Sequence, residues 1–92
     1  MYSYEKLPEG LRGGMKRYLE DGIQAGGFLT ACLKNDLVGA VGKAGSDNLK
    51  ALPEIVRWIY NEAPGNCWGS KEKVCDWMDK QYMASSNEGE KL

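Results

Sequence analysis

Residues 22–37 read GIQAGGFLTACLKNDL, and this stretch decides what the rest of the chain can be. Phe28, Leu29, Ala31, Cys32 and Leu33 leave little polar face between Gly27 and Lys34. A helix that is apolar nearly all round has to be surrounded, so the pattern predicts a short buried helix at the centre of the core. Asn35 can end it, and the Asp36 carboxylate can accept from the free backbone N–H groups that open the next one. Upstream, Gly22 suits the position just past a preceding helix, with Ile23 folding back in a Schellman-type contact.

Working outward, Leu11, Met15, Tyr18 and Leu19 fall at i, i+4, i+7 and i+8, which predicts a first helix beginning at Pro8 as its N1 residue. Gly13 and Gly14 interrupt that stripe, either fraying the first turn or admitting a neighbouring backbone. Downstream, LVGAVGKAG is a short third helix whose small residues imply tight packing against a neighbour. Ser46 or Asp47 is the expected cap of a fourth helix, in which Leu49, Leu52, Val56, Ile59 and Tyr60 recur at helical spacing alongside Ile55 and Trp58. Pro53 lies inside it and predicts a kink or a fresh start. Pro64 and Gly65 end it. Ser70 then caps a fifth helix with Val74, Trp77, Met78 and Tyr82 on its apolar face. Residues 84–92, ASSNEGEKL, hold little to bury and are expected to be disordered. No stretch alternates with the period of a strand. The expected architecture is all-α, a bundle of about five short helices forming one domain over residues 1–83, followed by the tail 84–92.

Composition bounds what such a domain does. With 92 residues there is room for one core, and 42% apolar residues predict that it packs. Twelve basic residues nearly cancel thirteen acidic ones, so the basic excess behind strong nucleic-acid binding is missing and no nucleic-acid partner is expected. No run approaches the ~20 apolar residues of a membrane span, and MYSYEKLPEG does not have the form of a signal peptide. Three cysteines, an odd number, suit a reducing cytosol better than a disulfide scaffold.

The residue inventory also limits chemistry. The chain has no histidine, which removes the Ser-His-Asp and Cys-His arrangements. Cys67 and Cys75 lack the close pairing of zinc or redox motifs, so no metal, cofactor or catalytic set is expected. The carboxylates sit among Lys and Arg on expected wet faces, and GKAGSDN lacks the spacing of a phosphate-binding loop. Trp58 and Trp77 fall on apolar stripes. Trp68 lies in the loop NCWGS, where its indole either staples onto Val74 or lines a recognition surface.

The run from GLRGGMKRYLEDGIQAGGFLTACLKNDL to YNEAPGNCWGSKEKVCDW resembles a group of small proteins encoded by tailed bacteriophages and prophages. The shared features are Arg12-Gly13-Gly14-Met15, Arg17-Tyr18, Gly22-Ile23, Phe28-Leu29, Asn35-Asp36-Leu37, Tyr60-Asn61, Ala63-Pro64 and Cys67-Trp68-Gly69-Ser70, across residues 8–79. Lys71 departs from the group, which usually has proline there, and the difference bears on helix initiation rather than chemistry. The resemblance implies a phage origin and action in the host cytoplasm. It attaches no activity to the fold.

These observations favour a non-enzymatic accessory protein that binds a host protein, with takeover of the host or inhibition of a defence or metabolic enzyme as its form. The expected contact surface comprises Asn35 and Asp36 together with Tyr60, Asn61, Trp68, Gly69 and Ser70. The alternative is a nucleotide-sequestering protein, with Trp68 and Tyr60 stacking on a base and Arg12, Lys16 and Arg17 neutralising phosphate. A helical DNA binder ranks third. The sequence leaves the oligomeric state open, a homodimer included.

Overall fold

The buried helix at the centre forms as the apolar run requires. The structure, a computed structural model, describes residues 2–90, with side chains described through Ala84. Its α-helices are α1 (Glu9–Asp21), α2 (Gly27–Leu33), α3 (Leu37–Lys43), α4 (Ser46–Glu62) and α5 (Lys71–Glu90), and the described residues include no strand. The fold is all-α. The tail expected over 84–92 lies, beyond Ala84, outside the described side chains.

Phe28, Leu29, Thr30, Ala31 and Leu33 of α2 are all buried. Thr30, the polar member, is satisfied by donating from Oγ1 to the Ala25 carbonyl at 2.8 Å. Asn35 ends the helix with φ 64°, the left-handed conformation that Asn tolerates better than most residues. The Asp36 N–H then reaches back to the Ala31 carbonyl at 2.8 Å. Asp36 accepts from the Gly39 N–H at 3.0 Å and so caps α3. A Cβ on Gly39 would run into that carboxylate. The small residues of α3 thus serve its own cap at Gly39, and only Ala40 of the helix is buried. The close packing against a neighbour that the sequence implied is present, since α3 lies against α2 more extensively than any other two elements meet.

Helix α1 buries Met15, Tyr18 and Leu19. Pro8 is its cap rather than its first residue, and the helix neither frays nor admits a backbone at Gly13 and Gly14: their nearest neighbours are the Arg17 and Leu29 side chains. It ends at Gly22, φ 70°, with the Ile23 N–H on the Arg17 carbonyl at 3.2 Å. Ahead of α1, a 3-10 turn at Tyr4–Lys6, unforeseen from the sequence, leads to Leu7, 2% exposed. Arg12 holds this strap by donating to the Leu7 and Glu5 carbonyls, each at 2.9 Å. Tyr4 stacks on Trp58 with centroids 5.9 Å apart, and Trp58 Nε1 donates to the Ser3 carbonyl at 2.9 Å. The strap therefore ties α1 to α4.

Helix α4 runs unbroken through Pro53, in place of the fresh start that was one expectation there, and Gly45 rather than Ser46 or Asp47 occupies its cap position. Its buried residues are Ile55, Trp58 and Ile59. Val56 (48%), Leu49 (46%) and Tyr60 (72%) stand exposed, although the periodicity grouped them with the core. In α5, Ser70 Oγ accepts from the Lys73 N–H at 3.2 Å as its cap. Val74 and Trp77 are buried, whereas Tyr82 is exposed.

Candidate functional site

At about 100° per residue, the α4 side chains Trp58, Ile55 and Ile59 span one arc, and Val56, Leu49 and Tyr60 fill the arc beside it. The first arc enters the core. The second is left over, and α3 has the same division: Ala40 points inward while Leu37 (65%), Val38 (83%) and Val41 (43%) do not. Between the two helices lies an open, largely apolar groove of about 470 Å³. Buried Ala40 and Ile59 lie along it with half-buried Cys32; Leu52, Pro53, Val56 and Tyr60 come from α4, and Asn35, Asp36 and Leu37 from the α2–α3 junction. Trp68 completes the lining, and Arg57 and Asp36 are its only charged members.

The Trp68 ring is held from both sides. Before it, the Cys67 carbonyl accepts from the buried Tyr18 hydroxyl at 2.6 Å. After it, the Gly69 N–H donates to the Leu33 carbonyl at 2.8 Å, and Gly69 has φ 115°, open mainly to glycine. With both flanking residues fixed to α1 and α2, the half-buried indole meets Tyr60 edge-on, centroids 6.1 Å apart at 65°. The loop is thus a preformed support for the groove.

Among the three indoles, Trp68 has an unusual hydrogen-bonding state. Trp58 donates to the Ser3 carbonyl and Trp77 to the Tyr18 carbonyl at 3.1 Å. Trp68 Nε1 is buried with no partner among the described residues, a condition that costs about 1–3 kcal/mol.

Of the surface residues singled out from the sequence, Asn35, Asp36, Tyr60 and Trp68 meet at the groove. Asn61 lines a separate depression with Lys6, Glu54, Glu62 and Arg57, the last bordering both. Gly69 and Ser70 serve the loop tie and the α5 cap. The basic trio lies elsewhere: Arg12 braces the N-terminal strap, Arg17 borders a glycine-lined cleft with Gly14 and Gly27, and Lys16 is exposed on α1. Leu52, Pro53, Val56 and Arg57 were absent from the expected surface. The signal that could have found them is the excess width of the α4 apolar arc.

Cys67 is buried and Cys32 half-buried, whereas Cys75 is exposed. Burial pushes Cys67 up to about 12 and Cys32 up to about 11, so both are neutral thiols rather than nucleophilic thiolates at neutral pH. Burial, with the Cys67 and Cys75 thiols nearby, likewise raises Tyr18. Among the described residues no three His, Cys, Asp or Glu side chains converge as metal ligands, and no helix is long and apolar enough to cross a membrane. No family model, curated protein or solved structure matches the chain.

Proposed function

We propose that this chain is a non-enzymatic phage accessory protein that acts in the host cytoplasm by binding a host protein through the α3–α4 face. One observation carries this: two departures from local stability rules line the same groove, next to the Asn35 helix terminus. Pro53 sits inside α4, where it removes a backbone hydrogen bond. Trp68 holds the buried indole N–H without an acceptor. Such violations concentrate where function, rather than folding, selects the residue. The apolar side chains exposed around them fit a protein partner better than a polar substrate. The resemblance to phage proteins supplies the setting, and inhibition of a defence or metabolic enzyme is one form the binding takes.

The experiment is affinity capture from host extract with the wild-type chain and with Val38→Asp and Tyr60→Ala, followed by calorimetry with the purified partner. A partner bound by the wild type and lost by both variants supports the assignment. A partner bound equally by all three, or no specific partner, refutes it.

A second reading, nucleotide sequestration, keeps one point in its favour: the Tyr60–Trp68 aromatic pair with Arg57 on the same groove. A nucleotide panel in a thermal-shift assay separates the two, since only this reading predicts a stabilising ligand.

A further inference from the structure

The α3–α4 face carries a protrusion and a hollow side by side. Leu37, which also lines the groove, and Val38 stand out from the start of α3, 65% and 83% exposed. Beside them the groove offers Leu52, Pro53 and Val56 of α4. The same lining holds one acidic and one basic residue, Asp36 and Arg57, and neither makes an ion pair among the described residues, where Lys6–Glu62 is the pair that forms. An isologous contact requires a patch that is its own complement, each residue i meeting j while j meets i. This face has a hollow, exposed apolar side chains and one charge of each sign, the parts from which such a patch is built.

We propose that the α3–α4 face is the interface of a two-fold homodimer, in which Leu37 and Val38 of each copy seat in the groove of the other and Asp36 of each copy pairs with Arg57 across the axis. Charge complementarity selects this occupant. A carboxylate and a guanidinium on one patch form no ion pair with each other within the chain, and a two-fold axis gives each of them one partner, two pairs in all. Asp36 can serve both roles, because Oδ1 accepts from Gly39 and its second oxygen is left for a guanidinium. Where the host-binding proposal holds, the dimer regulates the same face: it covers the groove until a host partner takes the monomer. Self-association is measured on the isolated protein, so its failure leaves host binding standing, and the reverse is equally true.

The test is sedimentation equilibrium across a dilution series reaching the millimolar range, with helicity checked by circular dichroism. The wild-type protein should approach twice 10.2 kDa. Val38→Asp, at a position too exposed to matter to the monomer fold, should weaken the dimer roughly 100-fold, because symmetry buries the change twice. Arg57→Glu should weaken it roughly 10-fold or more by opposing Asp36 of the other copy. Adding Asp36→Asn, which keeps the helix cap, should recover part of that loss. A monomer at every concentration overturns the proposal. So does a dimer indifferent to both single substitutions, or an assembly that grows past two copies.

Discussion

Gly22→Ala isolates the close contact between α1 and α5. Gly22 has φ +70°, and a side chain forced into the left-handed region costs about 1–2 kcal/mol. The new Cβ would also lie 2.6 Å from the Met78 carbonyl oxygen, 2.9 Å from Gln81 Cβ and 2.9 Å from the Tyr82 nitrogen. Two of those three atoms belong to the α5 backbone, which cannot swing aside as a side chain can. Overpacking of this kind costs about 1–3 kcal/mol, so the combined loss is ~2–5 kcal/mol. A chain of this size has only ~5–12 kcal/mol in total, and each kcal/mol shifts Tm by ~4–8 °C. Urea unfolding should therefore show a large drop in midpoint with a fall in Tm of ~10 °C or more. Gly22→Asn separates the two causes, since Asn accepts the backbone angle but still carries the Cβ; it should recover no more than the conformational part. Gly42→Ala is the control, with nothing within 4 Å of the added Cβ, and should be neutral or gain up to ~1 kcal/mol. A Gly22→Ala loss below ~0.5 kcal/mol, the size of an ordinary surface change, would show that the α1–α5 contact is not as described.

Other perturbations have equally definite outcomes. Tyr18→Phe removes the 2.6 Å donor to the Cys67 carbonyl and should cost ~1–3 kcal/mol by urea unfolding; no change would mean that the loop is not held there. Pro53→Ala restores a donor inside α4 and should stabilise by ~1–3 kcal/mol, while partner binding weakens because the groove loses a lining residue. Stabilisation with undiminished binding would remove Pro53 from the site. Alkaline pH should destabilise. Burial raises Cys67 from 9.0 to about 12, so its contribution is complete below about pH 9 and is lost as pH climbs towards 12. The unfolded thiol ionises first, giving a slope of roughly 1.4 kcal/mol per pH unit. Urea midpoints that stay flat from pH 9 to 11, or a slope unchanged in Cys67→Ala, would contradict this.

Local signals were legible and long-range ones were not. The α2 run, the Asn35–Asp36 junction, the Gly22 terminus and the Ser70 cap each have their cause within a few residues, and the sequence displays it. The Tyr18–Cys67 and Trp58–Ser3 hydrogen bonds join residues 49 and 55 positions apart, and nothing local announces them. The strap before α1 depends on such contacts and was missed with them. The groove was hidden for another reason. Periodicity reports where apolar side chains lie around α4 but not which neighbours arrive to cover them, so Val56 and Tyr60 read as core alongside Ile59. Asn35, Asp36, Tyr60 and Trp68 were singled out because they sit in loops or at helix ends. The helical wall that completes their groove carries no such mark.

The account rests most heavily on a division of apolar side chains, those of α2 and the inner arc of α4 holding the fold and those of the α3–α4 face left for binding. The direct measurement is the urea midpoint of the triple variant Leu37→Gln, Val38→Asp, Val56→Lys. With these positions 65%, 83% and 48% exposed, the variant should unfold within ~1.5 kcal/mol of the wild type, about the sum of three ordinary surface changes. A loss of several kcal/mol, or a chain that does not fold, would mean that this face belongs to the core.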